Sequence, residues 1–131
     1  MNQQTAELFD SAAWMFASTD LCKREKISPN RLAYNKSSGT LAVIVRRSSG
    51  GDFALSQGAL NYLLDHENLK DGSPVQQAIV VLADGDLQRI KPVQQFSAEE
   101  MRDRFNGVEP MGGKFGPYWW IPASVVDDEV F

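Results

Sequence analysis

A chain of 131 residues, 43% hydrophobic and 23% charged, is long enough to bury a core without disulfides or metal, which excludes the disordered and cysteine-stapled classes. The single cysteine, Cys22, cannot bridge internally and points to a reducing, cytoplasmic compartment. The start, Met-Asn-Gln-Gln-Thr, lacks the basic and apolar parts of a secretory signal, and no apolar run reaches about 18 residues, so neither export nor a membrane span is expected.

In chain order, Thr5 caps a helix expected over residues 6–19, with Leu8, Phe9, Ala12, Met15 and Phe16 on its apolar face and Trp14 at the edge. Residues 20–30 are polar and basic and read as a loop closing at Ser28-Pro29-Asn30. Arg31 to Lys36 alternates through Leu32 and Tyr34, and Ser37-Ser38-Gly39 turns the chain into the buried strand Leu41 to Val45. Gly50-Gly51 permits a tight turn, after which Phe53-Ala54-Leu55 is expected to return antiparallel. Ser56 caps the next helix, Leu55 and Leu60 form its staple, and Ala59, Leu60, Leu63 and Leu64 form its apolar stripe.

Lys70 to Pro74 carries the stop signals, and Gln76 to Ala83 is a second strand apolar on both faces, which calls for helices over both sides of the sheet. After the turn Asp84-Gly85-Asp86, Leu87 to Val93 reads as an interrupted strand or loop ending near Pro92. Ser97 and Glu100 make a capping box, Phe96 and Met101 the matching staple, and Asn106-Gly107 a helix end. Tyr118 to Ile121 reads as a closing strand, and 123–131 as a frayed acidic tail. The expectation is one compact α/β domain over 1–131, with α+β as the neighbouring class: a mixed sheet of about 4–6 strands covered by three helices. A homo-oligomer formed through a sheet edge is compatible with this pattern.

The order helix, strand meander, helix, strand, helix, strand is similar to the core of restriction-endonuclease-like nucleases. The family's acidic pair, followed by a Glu or Asp two residues before a Lys, is not found on these strands, and Leu41 to Arg47 carries no carboxylate. The resemblance therefore implies an inactive core retained for binding, although fold analogy does not carry function.

Charge is informative in its distribution. Residues 21–50 hold Lys23, Arg24, Lys26, Arg31, Lys36, Arg46 and Arg47 against Glu25 alone, a balance of +6, so the remainder carries −10. Within that segment Arg46-Arg47-Ser48-Ser49-Gly50-Gly51 has side chains and amides able to hold an anion, without the spacing of a phosphate-binding loop; the competing reading is a solvated turn. Lys114, Phe115, Tyr118, Trp119 and Trp120 could stack on bases or anchor a partner, whereas the structural reading puts alternate rings in the core. In a regular strand Trp119 and Trp120 point to opposite faces, so only one can enter it.

Asp52, Asp84 and Asp86 form a weak metal set that reads more simply as turn chemistry. His66, the only histidine, excludes two-histidine metal sites and reads as a solvated helix-end residue. Together these features lead to the expectation of a non-catalytic, cofactor-free domain. It would contact nucleic acid, or a nucleic-acid-processing protein, through the basic and aromatic segments. A protein-interaction or inhibitor module acting through an acidic and aromatic surface, and a metal-dependent phosphodiesterase, are the alternatives.

Overall fold

The computed structural model describes residues 14–84 and 91–123. Along them run β1 (Trp14–Phe16), α1 (Thr19–Arg24), β2 (Arg31–Asn35), β3 (Thr40–Arg46), β4 (Phe53–Ser56), α2 (Gln57–Asp65), β5 (Gln77–Asp84), β6 (Lys91–Ser97), α3 (Ala98–Arg104) and β7 (Tyr118–Ile121). This is a mixed α/β architecture. Five strands in the order β1-β2-β3-β5-β6 form the main sheet, and β4 and β7 form a separate pair.

The β2–β3 hairpin is closed by Asn35, whose Oδ1 accepts from the amides of Ser37 at 3.0 Å and Ser38 at 3.3 Å, and by Gly39 at φ +68°. The chain then crosses over through β4 and α2 to lay β5 parallel to β3, with Leu41 opposite Ala78 and Val45 opposite Leu82. Both central strands are apolar between their polar end residues, over Leu41–Val45 and Ala78–Ala83, because both faces are buried there. Leu41, Val43, Val45, Val80 and Leu82 pack with Ala59, Leu60 and Leu63 of α2 and Met101 of α3. Ala42, Ile44, Ile79, Val81 and Ala83 form a second buried cluster with Trp14 on the opposite face.

Of the three expected caps, those at Ser56 and Ser97 form, and Thr5 lies outside the described residues. Ser56 Oγ accepts from the Ala59 amide at 3.1 Å, and Ser97 Oγ from the Glu100 amide at 3.0 Å. Each staple pair, Leu55 with Leu60 and Phe96 with Met101, lies inside the main core.

Four expectations need correction. Trp14, Met15 and Phe16 are not helical: they pair with Asn35, Tyr34 and Ala33 as an edge strand, a conformation that suits aromatic residues, Ala17 and Ser18 follow outside any element, and residues 6–13 of the expected first helix lie outside the described residues. Residues 20–30 are not all loop, because Ser18 Oγ accepts from the Leu21 amide at 3.1 Å and starts α1. That helix is hard to see in sequence because Leu21 and Cys22 are its only apolar residues. β4 begins as the expected return strand, with an isolated bridge between Arg47 and Phe53, but then pairs with β7. Its reason is topological: β2 and β5 already occupy both sides of β3.

The fourth concerns Pro92, which lies inside β6 and does not end the segment. It faces Ala83 where the register shifts, on a strand at the edge of the sheet, where a residue without an N–H is tolerated. Residues 85–90 and 124–131, and with them Asp86 and most of the expected acidic tail, lie outside the described residues. Among the described residues no helix is long and apolar enough to cross a membrane.

Candidate functional site

Three of the seven cations in the basic segment line one cavity. Arg31 opens β2 opposite Ile44, and Arg46 lies two residues beyond Ile44 on β3. Alternate strand residues share a face, so the two arginines are diagonal neighbours, roughly 7–8 Å apart by ordinary sheet geometry. Lys23 lies in the last turn of α1. The three cations line a cavity of about 180 Å³ together with Thr19, Ser28 and Asn30. Among the described residues no carboxylate lines it, and none of the three cations forms an ion pair. The single acid of the basic segment, Glu25, is instead 3.7 Å from Arg24.

The wall of this cavity is tied to the core. Ile27 is fully buried, its amide donating to the Cys22 carbonyl at 2.8 Å, and the Asn30 amide donates to the Ile27 carbonyl at 2.7 Å. Asn30 Nδ2 then donates to Ser56 Oγ at 3.1 Å, so the hydroxyl that caps α2 also fixes the cavity loop. Gly58 allows the start of α2 to lie directly against the carbonyls of Glu25 and Lys26, where a Cβ would collide with backbone. The Tyr118 hydroxyl donates to the Ser28 carbonyl, joining β7 to the same loop. Burial pushes the Tyr118 phenol above its usual range.

The residues singled out from sequence divide into two groups. Arg46 faces the cavity, whereas Arg47 is committed to the fold: its Nε donates to Asp84 Oδ1 at 2.7 Å, and its guanidinium carbon stands 4.9 Å from the Phe53 ring centroid. Ser48, Ser49 and the glycines form a closed turn in which the Ser48 amide donates to the Asp52 carbonyl at 2.7 Å and the Gly51 amide to the Ser48 carbonyl at 2.9 Å. The Gly51 amide, one of those read as able to approach an anion, is thus used internally.

Trp119 is in the core, stacked on Phe105 with centroids 5.0 Å apart, and its Nε1 donates to the Val108 carbonyl at 3.4 Å. Trp120 points outward and is 43% exposed. Lys114 is exposed, with its Nζ 5.5 Å from the Phe115 centroid, and does not line the cavity.

Of the acidic set, Asp84 is paired with Arg47, and Asp52 Oδ1 accepts from the Ala123 amide at 3.4 Å. Among the described residues, no three His, Cys, Asp or Glu side chains gather where they could hold a metal ion. His66 is less solvated than expected: its ring stacks on Tyr62 at 3.6 Å, and Nδ1 lies 2.8 Å from the Tyr62 carbonyl, in place to donate as the N–H tautomer.

Sequence reasoning misses Lys23, Arg31, Ser28 and Asn30 as site residues, although the charge count of residues 21–50 contains the signal for the first two. It also misses an apolar depression of about 280 Å³ between β1 and the end of α2, lined by Met15, Phe16, Leu21, Leu32, Tyr62 and Leu69. Assigning Met15 and Phe16 to a helix conceals it.

Comparison of the chain with protein families, with curated proteins and with solved structures found no match. Nothing in these comparisons supports the similarity to the nuclease core, and the observed order departs from the expected one, with β1 at the end of the expected first helix and β4 paired with β7.

Proposed function

We propose that this chain binds nucleic acid without cleaving it, holding backbone phosphate between Lys23, Arg31 and Arg46. The reading is carried by the convergence of three cations on one cavity that no carboxylate among the described residues lines. Like charges gathered in this way repel one another, and an anion between them converts that repulsion into attraction. Arginine presents a planar fork to phosphate oxygens, lysine adds a point charge, and the Thr19 and Ser28 hydroxyls can donate alongside them. The acidic remainder of the chain confines this attraction to the basic region, so binding should be local and strongly salt dependent.

The test is fluorescence anisotropy with short single- and double-stranded DNA and RNA over a series of salt concentrations. Saturable binding should weaken steeply with salt, and Arg31→Ala with Arg46→Ala should reduce affinity for every probe. For each phosphate the variant no longer neutralises, the salt slope should fall by about 0.7–0.9. Affinity unchanged in the double variant would refute the assignment.

A further inference from the structure

We infer that the nucleic acid taken is single-stranded, and that Trp120 is the platform on which one of its bases stacks. This inference rests on the phosphate-binding reading above and adds to it the class of ligand.

The argument starts from the register of the small sheet. Ser56 pairs with Tyr118, and Ala54 with Trp120, so these four residues share the face turned away from Leu55, Trp119 and the core. At one end of that face, Ser56 accepts from Asn30 and Tyr118 donates to the Ser28 carbonyl, and both loop residues line the basic cavity. Trp120 is two residues further along β7, about 7 Å by the rise of a strand. An exposed indole thus shares a strand face with Ser56 and Tyr118, the two residues that brace the loop lining the cavity.

The other two tryptophans are enclosed, Trp14 at 5% and Trp119 at 8% exposure, so Trp120 alone of the three presents a ring face to solvent. A duplex keeps its base faces within its own stack and offers this surface only phosphate. A single strand offers phosphate and an unpaired base along one chain, and so matches a cationic cavity together with an exposed ring on the strand that braces its loop.

The experiment uses the full chain with two labelled probes, a short oligothymidylate and its duplex with oligoadenylate, and three variants: Trp120→Ala, Trp120→Phe, and the double variant Arg31→Ala with Arg46→Ala. Thermal melts establish that each variant is folded. The wild type should prefer the single strand. Trp120→Ala should weaken single-strand binding about tenfold while leaving duplex binding and the salt slope unchanged, and Trp120→Phe should restore most of the loss.

If Trp120→Ala binds the single strand as the wild type does, while the double arginine variant weakens both probes, the stacking inference falls and the phosphate reading stands. Failure of the wild type to bind either probe at low salt overturns both. A self-association seen by sedimentation that Trp120→Ala abolishes, with single-strand affinity unchanged, overturns the inference in favour of protein contact.

Discussion

The Ser56 hydroxyl accepts two hydrogen bonds in a fully buried position, one from the Ala59 amide and one from Asn30 Nδ2. Ser56→Ala removes a helix cap and leaves a buried amide without its acceptor, which should cost about 2–3 kcal/mol in urea denaturation. Ser97→Ala removes a cap that, among the described residues, accepts from the Glu100 amide alone and should cost about 1 kcal/mol. Equal losses in the two variants would deny Ser56 its second role. Both caps are legible in the sequence because cap and first turn lie within four residues. The bond to Asn30 spans 26 residues and depends on where the loop is folded back.

Tyr118 carries a pH prediction at the same scale. Its burial favours the neutral phenol, so the folded pKa lies above that of the unfolded chain. The resulting stabilisation is complete below the unfolded pKa and is lost as pH rises through the folded one. Tyr62, raised first by burial and then by nearby Glu25, acts in the same direction. The melting temperature should therefore fall on going from neutral pH to above about 10, and Tyr118→Phe should fall less steeply. An alkaline decline that Tyr118→Phe leaves as steep would exclude this group as a source.

Among the elements, β7 places two adjacent tryptophans in opposite environments. Trp119→Ala removes a ring packed on Phe105 within the main core and should cost about 3–5 kcal/mol. Trp120→Ala should change stability by no more than about 0.5 kcal/mol, as measured by denaturant midpoint. Strand alternation already requires one ring to point inward and the other outward. Which ring does so depends on the pairing of Leu55 with Trp119, whereas local pattern alone keeps β4 beside β3. The basic site is legible to a similar degree. Composition locates its charges in residues 21–50, but Lys23, Arg31 and Arg46 meet only because β2 and β3 pair in register and α1 folds back over their ends.

For the whole molecule, the two central strands are readable because apolar runs of β-branched residues have few other places to go. The edges are harder. β1 is three residues long, too short for helical and strand periodicity to differ, and β6 carries a proline that only its edge position excuses. Long-range charge shows the same split: of the seven cations in residues 21–50, Lys23, Arg31 and Arg46 meet at one cavity, whereas Lys36 lies at the opposite end of the β2–β3 hairpin. Association with a polyanion should therefore depend on orientation as well as on salt.

The parallel pairing of β3 with β5 also bears on how the chain reaches this state. The β2–β3 hairpin closes through one short turn, whereas β3 meets β5 only after an intervening stretch of about thirty residues has looped round and formed β4 and α2. Pairings so distant along the chain form late, since loop entropy must be overcome before they stabilise anything. Until then the edges that Leu41–Val45 and Ile79–Ala83 turn to each other are unpaired, and newly synthesised chains pass through a window in which two aggregation-prone edges are open. The centre of the finished sheet is thus the part of the molecule most dependent on the speed of its own assembly.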